Sequence, residues 1–376
     1  MHLSRNPDAP PTLRLLAWEM TRSCNLSCRH CRASAEHGPY TGELSTEEGK
    51  RLLNEIAALS PPSGGPASAH PPGFHPVVIL TGGEPLLRED LYDLASWGTH
   101  LGLRMVMATN GILLTPEVVT RLKEAGIQRV SISLDAADQE KHDHFRQVRG
   151  AFEGALQGIA LLKEGGLEFQ INTTVTTWNS MELPAILEKA IDMGAAAHHI
   201  FLLVPTGRGR DLGEQELSPE QYEQTLRWLS GIRDQGRISI KATCAPHFYR
   251  IIRQEAHARG EPFTPQTQGL DAVTRGCLGG TAFCFVSHRG EVQPCGYLEL
   301  MCGQVRDQGF KAVWESSPHL KRLRDFNAYE GKCGACEYLK VCGGCRARAY
   351  ADTGNYMAEE PLCTYQPHQR DIKGGL

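Results

Sequence analysis

The segment Leu13–Cys31 reads LRLLAWEMTRSCNLSCRHC. Its first part, LRLLAWE, is a short apolar run of strand length. Its second part carries Cys24, Cys28 and Cys31 in CxxxCxxC spacing, with His30 before the last cysteine. Three thiolates on one tight loop suit an iron–sulfur cluster that needs four ligands and receives three, so one iron stays open. A closed zinc site is the competing reading, with His30 or His37 as its fourth ligand.

Outward from this segment the chain alternates between strand-like and helix-like stretches. Ser45 and Glu48 form a capping box that opens a helix. VVIL at 77–80 ends in Thr81-Gly82-Gly83-Glu84-Pro85, and RMVMAT at 104–109 ends in Asn110-Gly111. RVSISLD (129–135), FQINTTV (169–175) and HHIFLLV (198–204) follow, separated by helical patterns at 151–164 and 181–193. Such alternation predicts a parallel sheet with right-handed crossovers. About six βα units fit between 13 and 240, too few for a closed eight-fold barrel. The expected fold is therefore α/β, a partial (β/α)6 barrel over 13–240. A leader (1–12) and a Pro/Gly/Ser-rich insertion (60–76) are expected to be flexible. The leader is too short for an added N-terminal domain.

The 376 residues are 41% hydrophobic and 22% charged, which excludes wholesale disorder. A net charge of −4 speaks against a nucleic-acid partner. No apolar run is long enough to span a bilayer, and the first residues lack the apolar core of a secretion signal. A cytoplasmic protein with no membrane partner is expected. Its 13 cysteines, reduced there, point to metal or redox chemistry rather than disulfides. Nine of them lie between 277 and 363, beyond a stretch from 32 to 243 that has none.

After a connection over 241–275, the segment 276–370 is expected to form a small Cys-rich domain. AFCFVSHRGEVQPCGY resembles a hairpin turning at Arg289-Gly290. The remainder is poor in apolar residues and is expected to bury little core, relying on metal to fold. Two CxxC pairs, Cys333/Cys336 and Cys342/Cys345, are separated by five residues, closer than the 15–20 of a zinc ribbon.

CxxxCxxC followed one unit later by Gly82-Gly83-Glu84-Pro85 resembles the signature of the radical S-adenosylmethionine (SAM) superfamily. The resemblance implies that Cys24, Cys28 and Cys31 hold a [4Fe–4S] cluster whose open iron chelates SAM. It implies a cradle for the SAM amino group at Gly82, Gly83 and Glu84. His30, Asn110, Ser133, Asp135, Arg146 and Asn172 are the other cofactor-binding candidates, Arg146 meeting the SAM carboxylate. One electron, from a donor such as flavodoxin or ferredoxin, would cleave SAM to a 5′-deoxyadenosyl radical that takes a hydrogen from substrate.

The C-terminal cysteines resemble the SPASM extension of the same superfamily, which binds auxiliary iron–sulfur clusters. By that resemblance Cys333, Cys336, Cys342 and Cys363 hold one cluster. Cys277, Cys295 and Cys345, with Cys284 as a further candidate, hold another. Two residues rather than the usual three precede Cys345, so one or two auxiliary clusters both remain open. Cys244 and Cys302 fit no pattern and are read as packed thiols.

The stretches LRMVMATNG, EVQPCGYLEL and GKCGACEYLKVCGGCRARAYADTGNYMAEEPLC are, with Leu13–Cys31, similar to the heme b synthases. These are Fe-coproporphyrin III decarboxylases, which turn two propionates into vinyl groups. Related tetrapyrrole-modifying enzymes and SPASM peptide maturases are the alternatives, and a cluster protein without SAM chemistry is the reading from another class. A tetra-anionic substrate calls for guanidinium partners, and Arg208, Arg210 and Arg275 are the candidates. His198, His199 and His247 are weaker candidates as axial heme ligands, since strand-borne histidines more often serve packing.

Overall fold

The computed structural model describes residues 12–59 and 75–368. Residues 1–11 of the expected leader, 60–74 of the expected insertion and the last residues of the C-terminal segment lie outside them.

Six strands, each followed by at least one helix, build the main body: β1 (Leu15–Thr21), β2 (Val77–Gly82), β3 (Arg104–Thr109), β4 (Val130–Ser133), β5 (Phe169–Val175) and β6 (Ala197–Leu202). The helices are α1 (Thr46–Ala58), α2 (Leu91–His100), α3 (Pro116–Glu124), the pair α4 (Gln139–Arg146) and α5 (Ala151–Glu164), α6 (Leu183–Met193) and α7 (Pro219–Gln235). Local chemistry sets their ends. Ser45 and Glu48 form the capping box of α1, and Ser218 and Gln221 form that of α7. Pro116 follows the Thr115 cap of α3.

The strands pair in parallel in chain order, and β7 (Ser239–Thr243) extends that edge. At the other edge β8 (Phe283–Val286) pairs in parallel with β1, then turns back as β9 (Glu291–Gln293), which pairs with the short β10 (Gly303–Gln304). The ten-stranded sheet runs β10-β9-β8-β1-β2-β3-β4-β5-β6-β7 and stays open. The C-terminal hairpin forms as expected, and it is stitched into the barrel sheet.

Strand alternation separates two faces. Leu16, Trp18, Met20, Val78, Leu80, Met105, Met107, Ile132 and Ile171 are buried in one continuous core between sheet and helices. Full burial of each such side chain contributes about 1.5–3 kcal/mol. The expectation that the C-terminal segment buries little core needs correction. Phe310, Val313, Trp314, Leu320 and Leu323 join this same core. Two short helices, Phe310–Ser316 and Pro318–Arg324, concentrate the few apolar residues on one face, and the first packs on α1. Among the described residues no helix is long and apolar enough to cross a membrane.

Candidate active site and thiol clusters

The cysteine loop leaves β1 where the parallel strands end. Cys24 and Cys28 are buried, and Cys31 is half-buried. The Leu26 amide donates to Cys24 Sγ at 3.4 Å and the Ala35 amide to Cys31 Sγ at 3.4 Å. Arg146 Nη1 donates to Cys28 Sγ at 3.6 Å. Burial above all, with Glu84 and the neighbouring thiols, pushes the Cys24 thiol up to about 12 against the opposing Leu26 amide, so a thiolate here requires a metal. Three sulfurs, each met by a donor, fit an iron–sulfur cluster held by this loop.

Gly82 and Gly83 make their close approach to the chain itself. A Cβ on Gly82 would collide with the Thr21 carbonyl, and one on Gly83 with the Arg22 and Ser23 carbonyls. Gly83 N donates to Thr21 O and Glu84 N to Ser23 O, each at 2.8 Å, so the end of β2 is zipped to the start of the cysteine loop. The Glu84 carboxylate is fully buried and taken up internally. It accepts from Thr109 Oγ1 at 2.7 Å, the Asn110 amide at 2.9 Å and the Leu86 amide at 3.1 Å. Thr109 and Asn110 thereby tie β2 to β3.

Other expected cofactor contacts also turn toward the loop. Asn110 Nδ2 donates to Asn25 Oδ1 at 2.7 Å. Asp135 is fully buried, ion-paired with Arg146, and accepts the Thr174 amide at 2.8 Å. His30 Nε2 lies 4.0 Å from the Asp135 carboxylate, and the imidazole ring stacks on Phe145 at 4.3 Å. Burial pulls its pKa down to about 3, so it is neutral. Asp135 and Arg146 support Cys28 and His30 from beneath. Ser133 and Asn172, by contrast, are register partners on the sheet's inner face.

The arginines expected at substrate carboxylates are engaged elsewhere. Arg208 donates from Nε to Cys28 O and from Nη1 to Ala35 O, both at 2.8 Å, so the loop after β6 grips the cysteine loop. Gly207 permits that approach: its φ is +53°, and a Cβ would collide with the Cys31 and Arg32 carbonyls. Arg210 forms an exposed ion pair with Glu299. Arg275 lies over Phe326 at 4.4 Å and donates to Tyr329 OH at 3.2 Å, within the C-terminal segment.

What the inner face offers instead is a row whose last member, Lys241, sequence reading missed. Ser133, Asn172, His199 and Lys241 are successive register partners across β4–β7. Gln170 Nε2 bonds to both Asn172 Oδ1 and His199 Nδ1 at 2.9 Å. Lys241 makes no ion pair among the described residues, and burial lowers its pKa. The signal lay in the alternation of SIKAT, a strand hidden at a composition boundary. His198 faces the other way, bonded to Thr173 Oγ1 at 2.8 Å, as a packing histidine would be.

Farther along the chain, Cys333, Cys336, Cys342 and Cys363 line one cavity with His247 and Arg250. Amides of Glu360, Tyr338 and Gly344 donate to Cys333, Cys336 and Cys342 Sγ, each at 3.4 Å. The donor set fits a second cluster. Cys277, Cys295 and Cys345 gather beside it, since Cys277 N donates to Cys342 O at 3.0 Å. Cys284 does not join them. Its thiol donates to Gln293 O at 3.1 Å on the core face of β8, so its placement among the ligands is corrected.

Comparison with known proteins agrees with this arrangement. Residues 18–190 match the model of the radical SAM superfamily, and 277–345 match that of the SPASM iron–sulfur cluster-binding domain. The AdoMet-dependent heme synthase of Oleidesulfovibrio alaskensis is 52% identical over 96% of this chain and 90% of its own. The chain belongs to this radical SAM heme synthase family. The Fe-coproporphyrin III synthase of Methanosarcina barkeri is more distant, 31% identical over 93% of this chain and 87% of its own. The fold is shared with Streptococcus suis SuiB bound to S-adenosylmethionine, at a TM-score of 0.71 and 15% identity, over 94% of this chain and 78% of that one. Membership in the family brings SAM, a [4Fe–4S] cluster and auxiliary iron–sulfur clusters as cofactors.

Proposed function

We propose that this protein is a decarboxylase that converts two propionates of Fe-coproporphyrin III into vinyl groups and so forms heme b. The observation that carries the reading is likeness along nearly the whole chain to a relative named for heme synthesis. Bound SAM and the Cys24/Cys28/Cys31 cluster supply the one-electron chemistry that begins with hydrogen abstraction from the propionate β-carbon. Each conversion then releases carbon dioxide and one electron, for which an auxiliary cluster is the acceptor. Flavodoxin or ferredoxin is the proposed reductant.

The chain's own part is positioning. The inner-face row supports an anionic substrate, because the half-buried Lys241 ammonium, which makes no ion pair among the described residues, gains one when an anion arrives. Lys241 is the proposed carboxylate partner, in place of Arg208, Arg210 and Arg275. His199, held by Gln170 and neutral because burial lowers its pKa to about 3, adds polar contact without charge.

The test is anaerobic incubation with SAM, dithionite and Fe-coproporphyrin III, followed by mass analysis. Two successive losses of carbon dioxide plus two hydrogens, matched by 5′-deoxyadenosine release, are expected. Release of 5′-deoxyadenosine with the porphyrin unchanged would point to another substrate.

A further inference from the structure

Cys244 belongs to neither cysteine motif and lies outside the segment matched by the cluster-binding family model. It follows β7 directly, with φ at +55°, in the left-handed region that side chains other than glycine's rarely adopt. The backbone is clamped there. Its carbonyl accepts Tyr222 OH at 3.0 Å and Arg348 Nη1 at 3.3 Å. Arg348 lies on the helix Arg346–Thr353, which begins immediately after Cys345. The turn after β7 is thereby fastened to the segment carrying Cys345.

Three further contacts place the other thiols at the same spot. The side chain of Cys244 packs with Cys345, Cys295, Val204 and Leu298 in one small cluster. Gly276 lies so close to the next turn that a Cβ would sit 2.6 Å from Pro246 Cα, which sets Cys277 against the Cys244–Pro246 bend. Cys277 Sγ and Cys295 Cβ flank Gly279, 3.8 and 3.5 Å from where its Cβ would be.

We propose that Cys244 is the fourth ligand of an auxiliary iron–sulfur cluster held by Cys277, Cys295 and Cys345. The fourth thiol comes from the barrel, at the end of β7, so the cluster joins the radical SAM body to the cysteine-rich segment. A cluster with four cysteines has no iron left open for substrate. Its place is then in electron transfer. Cys284, bonded within the core, is not a ligand. The inference rests on family membership and not on which tetrapyrrole is the substrate.

The test compares full-length wild type with Cys244→Ala, Cys244→Ser and Cys284→Ala after anaerobic reconstitution. Iron, acid-labile sulfide, and Mössbauer and electron paramagnetic resonance spectra are recorded for each. Cys284→Ala is expected to match wild type. Cys244→Ala is expected to lose one to four irons of about twelve, the content of three [4Fe–4S] clusters. Its radical SAM signal should still respond to added SAM, which shows that the fold persists. If alanine gives no soluble protein, serine decides, since an alkoxide ligand alters one cluster's spectrum and leaves the others. Full iron with unchanged spectra in both Cys244 variants overturns the proposal, as does loss of the same cluster in Cys284→Ala alone.

Discussion

Arg208 donates to the carbonyl of Cys28 at 2.8 Å, across 180 residues of chain. The loop after the sixth strand therefore holds the loop after the first, and the second bond, to Ala35 O, fixes the far side of the Cys31 turn. Bonds from a charged donor contribute about 1.5–3 kcal/mol each. Arg208→Met is expected to reduce iron at the Cys24/Cys28/Cys31 site and lower the melting temperature. A substrate clamp would behave otherwise: KM for the porphyrin would rise while iron stayed full. Iron analysis beside steady-state kinetics separates the two.

The Asp135–Arg146 pair is buried under Cys28. Removing one member of a buried pair strands the other charge, at a cost of about 3–5 kcal/mol. Asp135→Asn should therefore destabilise the protein strongly in urea unfolding. The double variant Asp135→Asn/Arg146→Leu should recover part of the loss, because it leaves no bare charge. Strict additivity of the two single losses would show that the pair does not act as a unit.

How far the sequence disclosed this site depends on what each residue bonds to. CxxxCxxC, GGEP and the alternating strands were legible because spacing and periodicity are local, and the helix cap at Ser45 was legible for the same reason. The roles of Glu84, Asp135 and Arg208 were not. A polar residue at a strand end looks the same whether it meets a ligand or another loop, and a bonding partner lies 25 residues away for Glu84, 39 for Asp135 and 180 for Arg208. Lys241 escaped notice, and Cys244 was read only as a packed thiol, because β7 falls where the composition changes, so neither its alternation nor its end was read as structure.

Glu84 provides a pH-dependent test. Burial raises its carboxyl from the ordinary 4.5 to about 7, with its three hydrogen bonds acting in the opposite direction. A group raised in the folded state contributes stability that is complete below its unfolded value and is lost as pH rises through the folded one. Wild type should therefore lose stability between about pH 4.5 and 7, a slope that Glu84→Gln lacks. The variant carries its own penalty, since an amide NH2 must face a donor, about 1–3 kcal/mol at every pH. Unfolding of both metal-free proteins across pH 5–8 checks this, and parallel profiles would refute it.

Lys241 tests the substrate assignment directly. Its register partner His199 is neutral and it has no ion pair among the described residues, so an incoming carboxylate would give it the direct partner it lacks. Truncating one partner of a buried, hydrogen-bonded charge pair costs about 2–5 kcal/mol, of which the lower end is roughly a 30-fold weaker Kd. Lys241→Met is expected to weaken Fe-coproporphyrin III binding by at least that factor, with iron content unchanged, and Lys241→Arg to restore much of it. The tetramethyl ester of the same porphyrin has no carboxylates, so its binding should not distinguish Lys241→Met from wild type. Absorbance titrations of both porphyrins against both proteins give the answer. Equal weakening for acid and ester would mean that Lys241 shapes the cavity without meeting a carboxylate.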